Sequence, residues 1–504
     1  MNLKNWIVCG LLTAGVSVSA GVKLPAIFSD NMVLQRGIHL PVWGWSDPGA
    51  KVTVTFAGQS VTAKAGADGR WRVKLEKLEA SREPRTLTVE SGDKLTLTNI
   101  LVGDVWLASG QSNMEKPLGL QPGQKPCFNY QQDLAAANHP LIRLFKVEKT
   151  LAATPQTDFS KYVTWTQCDS NSLDRAHFSA AAYYFGMELQ TNLGVPIGLV
   201  ESSWGGTRIE PWTAPEGFRQ VPALKELADR TPGAGTDKVK STDAIALYNA
   251  MIAPMVGFGI RGAIWYQGES NLRDLENAHG VTYDVKMQAL VNGWRQVWGE
   301  GPFPFYFVQI APFKYFSGKT KRANDVEELP EFWTIQSRAV REIPNTGMAV
   351  TTDLVDDLND IHPRDKADVG HRLALLARHH TYGQEVTSRG PALAKCQFQG
   401  DKAVVEFKHA KDGLTTRDML PPNWFTIAGA DGKFVPARAR IDGDSVELWA
   451  PEVANPKYVR FAWSELAQPN LMNSAGLPAE AFRSDEPNGP VPPPELGKVS
   501  KEKK

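Results

Sequence analysis

The chain reads as an α/β protein whose core is flanked on both sides by all-β regions. Three observations predict this. Residues 22–98 are short alternating stretches broken by Gly, Asp and Pro. Residues 99–385 alternate strand-like runs with helical patterns. Residues 386–485 return to β texture. Strand–helix alternation is the signature of a mostly parallel sheet covered on both faces. At 504 residues the chain is long enough for two to four domains.

Composition sets the broad class. Hydrophobic content of 42% and charged content of 22% are those of a soluble globular protein. Lys+Arg and Asp+Glu both number 55, so no global field draws in nucleic acid or anionic membrane. Tryptophan is abundant at 15, which suits either β-cores or sugar-stacking platforms.

The first 20 residues are expected to lie outside the fold. Lys4 supplies a positive start, residues 6–18 are mostly small or apolar, and Val18-Ser19-Ala20 suits signal peptidase. The stretch is short for a membrane span, and no second hydrophobic span follows. No lipoprotein box precedes Cys9. A signal peptide over 1–20 implies a secreted or periplasmic protein with no membrane contact after cleavage.

Residues 51–56, 60–64, 71–75 and 86–89 then read as strands of a small sandwich over 21–98, with Ala57-Gly58-Gln59 as a turn. In the core, 99–385, residues 100–106 form an apolar strand. Residues 179–193 form an amphipathic helix with Ala182, Phe185, Leu189 and Leu193 on one face, and 195–200 the next strand. Residues 244–253 read as a helix stopped near Pro254, and 262–266 as a further strand. Strands at 402–407, 424–427, 445–449 and 458–463 fill the C-terminal β region, 386–485. The tail, 486–504, carries three consecutive prolines and reads as disordered.

Three cysteines remain if Cys9 leaves with the signal. Cys127 and Cys168 lie in polar, loop-like sequence and are the candidate disulfide pair. Cys396 lies in a strand-like stretch and is expected to be buried and inert. No cysteine spacing resembles a metal site.

Four core stretches carry the chemistry. Gly110-Gln111-Ser112-Asn113, Glu201 to Arg208 and Gln267 to Asn271 each follow a strand directly. Asn359-Asp360-Ile361-His362-Pro363 precedes a helix-like run over 366–378. Loops at the carboxyl ends of parallel strands are where such folds place their sites. Ester hydrolysis needs a nucleophile, a base, a group orienting the base, and donors for the oxyanion. Ser112 supplies the nucleophile and His362 the base. The backbone N–H groups of Ser112 and of the Gly205-Gly206 turn, with Gly206 foremost, and the side-chain amide of Gln267 supply the oxyanion hole. Each such donor is typically worth about 3 kcal/mol of barrier.

These stretches, with Ile27 to Arg36 and Gly103-Asp104-Val105-Trp106, resemble the SGNH hydrolases, and among them the sialate O-acetylesterase family of carbohydrate acetylesterases. The matches run in order from residue 27 to 363. The resemblance implies a flavodoxin-like α/β/α core over 99–385, a serine esterase mechanism, removal of acetyl groups from sugars, and no metal or organic cofactor. The sequence departs from the superfamily in one respect. Many SGNH hydrolases place an aspartate three residues before the histidine, and here that position is Asn359. Asp360 is therefore the first choice to orient His362, with Glu269 the alternative. Asp353, Asp356 and Asp357 remain further candidates, as does a bare carbonyl. Those three acids lack the glycine and spacing of a calcium loop.

Gln111, Asn113, Arg208, Trp212 and Trp265 are the candidate substrate contacts, with Glu210 as an alternative partner for Arg208. The expected partner is an acetylated oligo- or polysaccharide: sialic acid, whose carboxylate calls for a cation and to which the name of the resembled family leans, or neutral xylan or xyloglucan, to which the zero net charge and the many tryptophans lean. The alternative is a carbohydrate-binding protein with an inactive esterase-like core.

Overall fold

The computed structural model describes residues 21–485 apart from 162, 237, 273–279, 317–324 and 411. The expected signal peptide and C-terminal tail lie outside the described residues. The central sheet uses β1 (Asp93–Gly110), β2 (Asn138–Lys146), β3 (Thr166–Asp169), β4 (Ile197–Ser203), β5 (Gly262–Tyr266), β6 (Phe305–Val308) and β7 (Thr346–Ala349). Its order is β7-β6-β5-β1-β4-β2-β3, and all pairs but β2–β3 are parallel. With β2 and β3 set aside at one edge, the remaining five strands run in the flavodoxin order.

Helices cover both faces because successive strand residues point opposite ways. Trp106 and Ala108 of β1, with Ile264 and Tyr266 of β5, face α2 (Ala180–Leu193) and α5 (Lys366–Leu376). Val105 and Leu107, with Ala263 and Trp265, face α3 (Tyr283–Trp298) and α4 (Glu328–Glu342). The short α1 (Ser112–Glu115) follows β1 directly. Ser179 caps α2, accepting from the Ala182 N–H at 3.1 Å.

The expected boundary at residue 98 falls inside β1. The first half of β1 pairs with Ser81–Ser91 and Val33–Gln35, and its second half with the core strands. Asp104 marks the handover. It is fully buried and takes Arg36, Arg261 and Gln35 at 2.8–3.1 Å. Burial opposes its charge, yet the two guanidinium groups hold its carboxyl below the ordinary range. The Gln35-Arg36 end of the N-terminal motif thus welds the β region to the core.

Two other expectations differ. Over 244–253 the chain forms a π-helical turn, Tyr248–Ile252, and then a 3-10 turn, Ala253–Met255, with Pro254 inside the latter. Cys127 and Cys168 are both buried and unpaired, and burial pushes each thiol up, Cys168 to about 12. Cys396 is only partly buried, also with its thiol pushed up to about 12.

The C-terminal region forms two four-stranded antiparallel sheets and a two-stranded one. Phe407, Phe425, Phe461 and Phe482 form one aromatic cluster joining the two larger sheets. This region also braces the core loop after β7: Arg417 and Gln468 donate to the carbonyls of Asp353 and Val355 at 3.1 and 2.7 Å.

Candidate active site

The site lies where the carboxyl ends of β1, β4 and β5 meet. Gly110 closes β1 at φ +140, and a Cβ there would sit 2.1 Å from the Tyr266 carbonyl oxygen. Only glycine lets the chain turn this close to β5. The turn is stitched to both neighbours: the Gln111 N–H donates to Tyr266 at 2.9 Å, and the Gly110 carbonyl accepts from the Trp204 N–H at 3.0 Å. Ser112 follows as the first residue of α1, so its N–H has no intrahelical acceptor.

The turn after β4 sits against the serine. A Cβ on Gly205 would lie 3.1 Å from the Ser112 Cβ. Glu115, three residues beyond Ser112, accepts the Gly205 N–H at 2.6 Å and pairs with Lys149. Thr207 closes the turn by donating to the Trp204 carbonyl at 2.7 Å. The Gly205 N–H is thereby committed, while Gly206 is exposed at φ +76.

His362 enters from the loop between β7 and α5. Its neighbour Ile361 accepts from the Asn113 amide at 3.0 Å, which brings the residue after Ser112 to the residue before His362. Asp360 Oδ1 accepts the His362 N–H at 2.9 Å and lies 3.6 Å from its Nδ1. Burial, followed by the Lys366 charge, pushes the imidazole down to about 4, against the pull of Asp360. The ring is therefore neutral at pH 7 and able to take a proton.

The other carboxylates near this loop are occupied. Asp353 pairs with Arg372 at 2.7 Å, Asp356 with Arg364 at 3.5 Å and Asp357 with Lys125 at 2.7 Å. Asn359 is tied to Asp357 and Lys314. Glu269 is buried and accepts from the Asn113 amide at 2.6 Å, so it reaches the histidine loop through Asn113.

Several expected contacts have other roles. The Gln267 amide nitrogen is fully buried and faces Gln111 Oε1, the Thr207 carbonyl and Asn271 Oδ1 at 2.8–3.1 Å. Three acceptors for two hydrogens leave none for an oxyanion. Gln267 instead fixes Gln111, whose Oε1 also accepts the Ser270 N–H at 3.2 Å. The Gln111 amide hydrogens have no acceptor among the described residues. Trp212 and Trp265 are buried, their indole N–H groups spent on Thr207 and Tyr283, so neither presents a face to sugar. Asn113 is likewise fully buried. Arg208 is partly buried beside the turn, and Glu210 pairs with Lys286 at 2.7 Å.

Sequence reasoning missed Glu115, Lys366 and Trp204. The first was legible as a carboxylate one helical turn after the serine. Trp204 is partly exposed at the glycine turn, with Lys149 over its ring. A cavity of about 450 Å³ opens beside Glu115, lined also by Lys146, Glu148, Arg175 and His177.

A flavodoxin-ordered sheet with a serine, a histidine and an acid gathered near its strand ends defines an α/β protein with the layout of a hydrolase. Comparison with known proteins narrows the class. Residues 102–378 match the model of the carbohydrate esterase family described as sialic acid-specific acetylesterase. Human sialate O-acetylesterase is 31% identical over 434 residues, covering 79% of each chain. The rat enzyme of that name is 32% identical over 442 residues, covering 77% of this chain and 79% of its own. The crystal structure of a carbohydrate acetylesterase from Xanthomonas citri superposes with a TM-score of 0.81 at 38% identity, covering 92% of this chain and 99% of that one. The chain belongs to the sialic acid-specific acetylesterase family and is a carbohydrate acetylesterase.

Proposed function

We propose that the protein is a serine esterase in which Ser112 attacks the acetyl carbonyl of an O-acetylated sugar. His362 Nε2 takes the Ser112 proton as the new C–O bond forms, and Asp360 orients the ring. The tetrahedral oxyanion accepts from the N–H groups of Ser112 and Gly206 and from the Gln111 amide. Collapse breaks the ester bond, and His362 returns its proton to the leaving sugar oxygen. Water activated by the same histidine then releases acetate from Ser112. The observation that carries this reading is the Asn113-to-Ile361 bond, which joins the serine and histidine segments while Asp360 stands behind the ring.

Ser112→Ala tests it with p-nitrophenyl acetate. Loss of nearly all turnover in a folded variant is expected, and surviving hydrolysis overturns the nucleophile assignment.

The sugar we favour is O-acetylated sialic acid. Exposed Arg175 and His177 at the cavity beside Glu115 suit a carboxylate. Neutral xylan or xyloglucan is the second reading, favoured by the partly exposed ring of Trp204. Acetate release from the three substrates decides, and release from the neutral glycans alone removes the first. Export rests on the features of residues 1–20. N-terminal sequencing of protein recovered outside the cytoplasm should begin at Gly21, and an intact Met1 there refutes cleavage.

A further inference from the structure

We infer that Asn113 and Lys366, braced by Glu269, form a buried clamp that positions His362 by holding the backbone on both sides of it. The inference rests on the Ser112–His362 reading above. Asn113 comes from α1, Lys366 opens α5, and Glu269 heads the short helix after β5. The Asn113 amide donates to the carbonyl of Ile361 at 3.0 Å. The Lys366 ammonium donates to the carbonyl of Pro363 at 2.7 Å. The two holders are themselves joined, Lys366 Nζ donating to Asn113 Oδ1 at 2.9 Å. Glu269 completes the set by accepting the Asn113 amide at 2.6 Å.

Asn113 can sit only one way round. Turned over, its NH2 would meet the Lys366 ammonium, and its oxygen would meet the Glu269 carboxylate and the Ile361 carbonyl. The charges on either side therefore lock the amide that locks the loop. Lys366 and Asn113 are fully buried and Glu269 nearly so. An ammonium in such a place is costly unless its donors are satisfied. Here it has two oxygen acceptors and lies 5.4 Å from the centre of the Tyr266 ring. Burial still pushes it down to about 8. A buried lysine bonded to a carbonyl adjoining His362 and to the residue after Ser112 ties the base to the nucleophile segment. Misplacing a catalytic group by about 1 Å costs on the order of a hundredfold in rate.

Lys366→Met and Asn113→Ala test the clamp by steady-state kinetics with p-nitrophenyl acetate on monodisperse, folded protein. Either variant is expected to lower kcat about 10–100-fold with KM within about threefold. Lys366→Met carries a second readout. Four charged groups act on His362: Lys366 and Lys116 disfavour its imidazolium, while Asp360 and Glu115 favour it. Removing Lys366 should therefore move the acid limb of kcat/KM to higher pH. A merely structural lysine would lower stability and leave kcat unchanged, so the kcat-against-KM split tests the clamp and the limb shift reports the Lys366 charge on His362.

Glu269→Gln keeps an oxygen for Asn113 and should lower kcat by less than about tenfold, whereas a triad acid would cost about 10⁴-fold. The clamp is overturned if a folded Lys366→Met or Asn113→Ala keeps kcat within about twofold of wild type. It is also overturned if Glu269→Gln falls by the larger factor. Should Lys366→Met fail to fold, Asn113→Ala and Glu269→Gln decide. Activity surviving in Ser112→Ala or His362→Ala would instead sink the underlying site reading, a result the clamp variants cannot mimic.

Discussion

Gln111→Leu separates an oxyanion donor from a structural amide. The Gln111 Oε1 is held by Gln267 Nε2 at 3.1 Å and the Ser270 N–H at 3.2 Å, which leaves its NH2 without a described acceptor. Leucine removes both halves of the amide. On the structural side, Gln267 keeps two acceptors for its two hydrogens, Thr207 and Asn271. Only the Ser270 N–H is abandoned, which costs about 1–3 kcal/mol of stability. On the catalytic side, losing one oxyanion donor costs about 10²–10³ in kcat, or about 2.7–4 kcal/mol of barrier. The assay is kcat and KM for p-nitrophenyl acetate at pH 7, beside a urea midpoint. A transition-state donor lowers kcat and kcat/KM together and leaves KM nearly unchanged. A folded Gln111→Leu whose kcat stays within about threefold of wild type refutes the assignment. The reasoning also fails if Gln267→Leu, folded and with Gln111 intact, proves the more damaging change.

Four further outcomes are expected. Asp360→Ala should lower kcat by up to about 10⁴-fold, and near wild-type turnover would remove Asp360 as the orienting acid. His362 works as a base only when neutral, and burial holds it to about 4. Activity should therefore persist at pH 5 and fall as pH drops through about 4, whereas an acid limb near the ordinary imidazole value of about 6.5 contradicts this. Gly110→Ala should give little soluble protein, since its Cβ would sit 2.1 Å from the Tyr266 carbonyl oxygen; a normal yield would show that β1 can shift. Cys127, Cys168 and Cys396 should all alkylate with iodoacetamide after unfolding without reductant, and protection of any pair would reveal a disulfide.

The fold was largely legible because its signals are local. The alternation of strand and helix patterns gave the sheet, and Gly262–Tyr266 and Ser445–Trp449 match the expected strands residue for residue. The boundary at residue 98 was not legible. A strand that serves two sheets looks the same along its length, and its change of partner at Asp104 depends on Arg36 and Arg261, far away in sequence. The Cys127–Cys168 pairing failed for a similar reason. Polar neighbours in sequence say nothing about whether two thiols meet, and both are buried as free thiols.

Residue type and order alone named the candidates for the chemistry: a serine after one strand, glycines after another, and a histidine preceded by an acid. Hydrogen-bonding capacity is a property of each side chain, so these candidates could be named without coordinates. Where each donor points is a property of its surroundings, and only the tertiary structure decided that. Burial committed the Gln267 amide to Gln111, Thr207 and Asn271. It also enclosed Trp212 and Trp265 in the core, and brought Lys366 from the start of a helix to the carbonyl beyond His362.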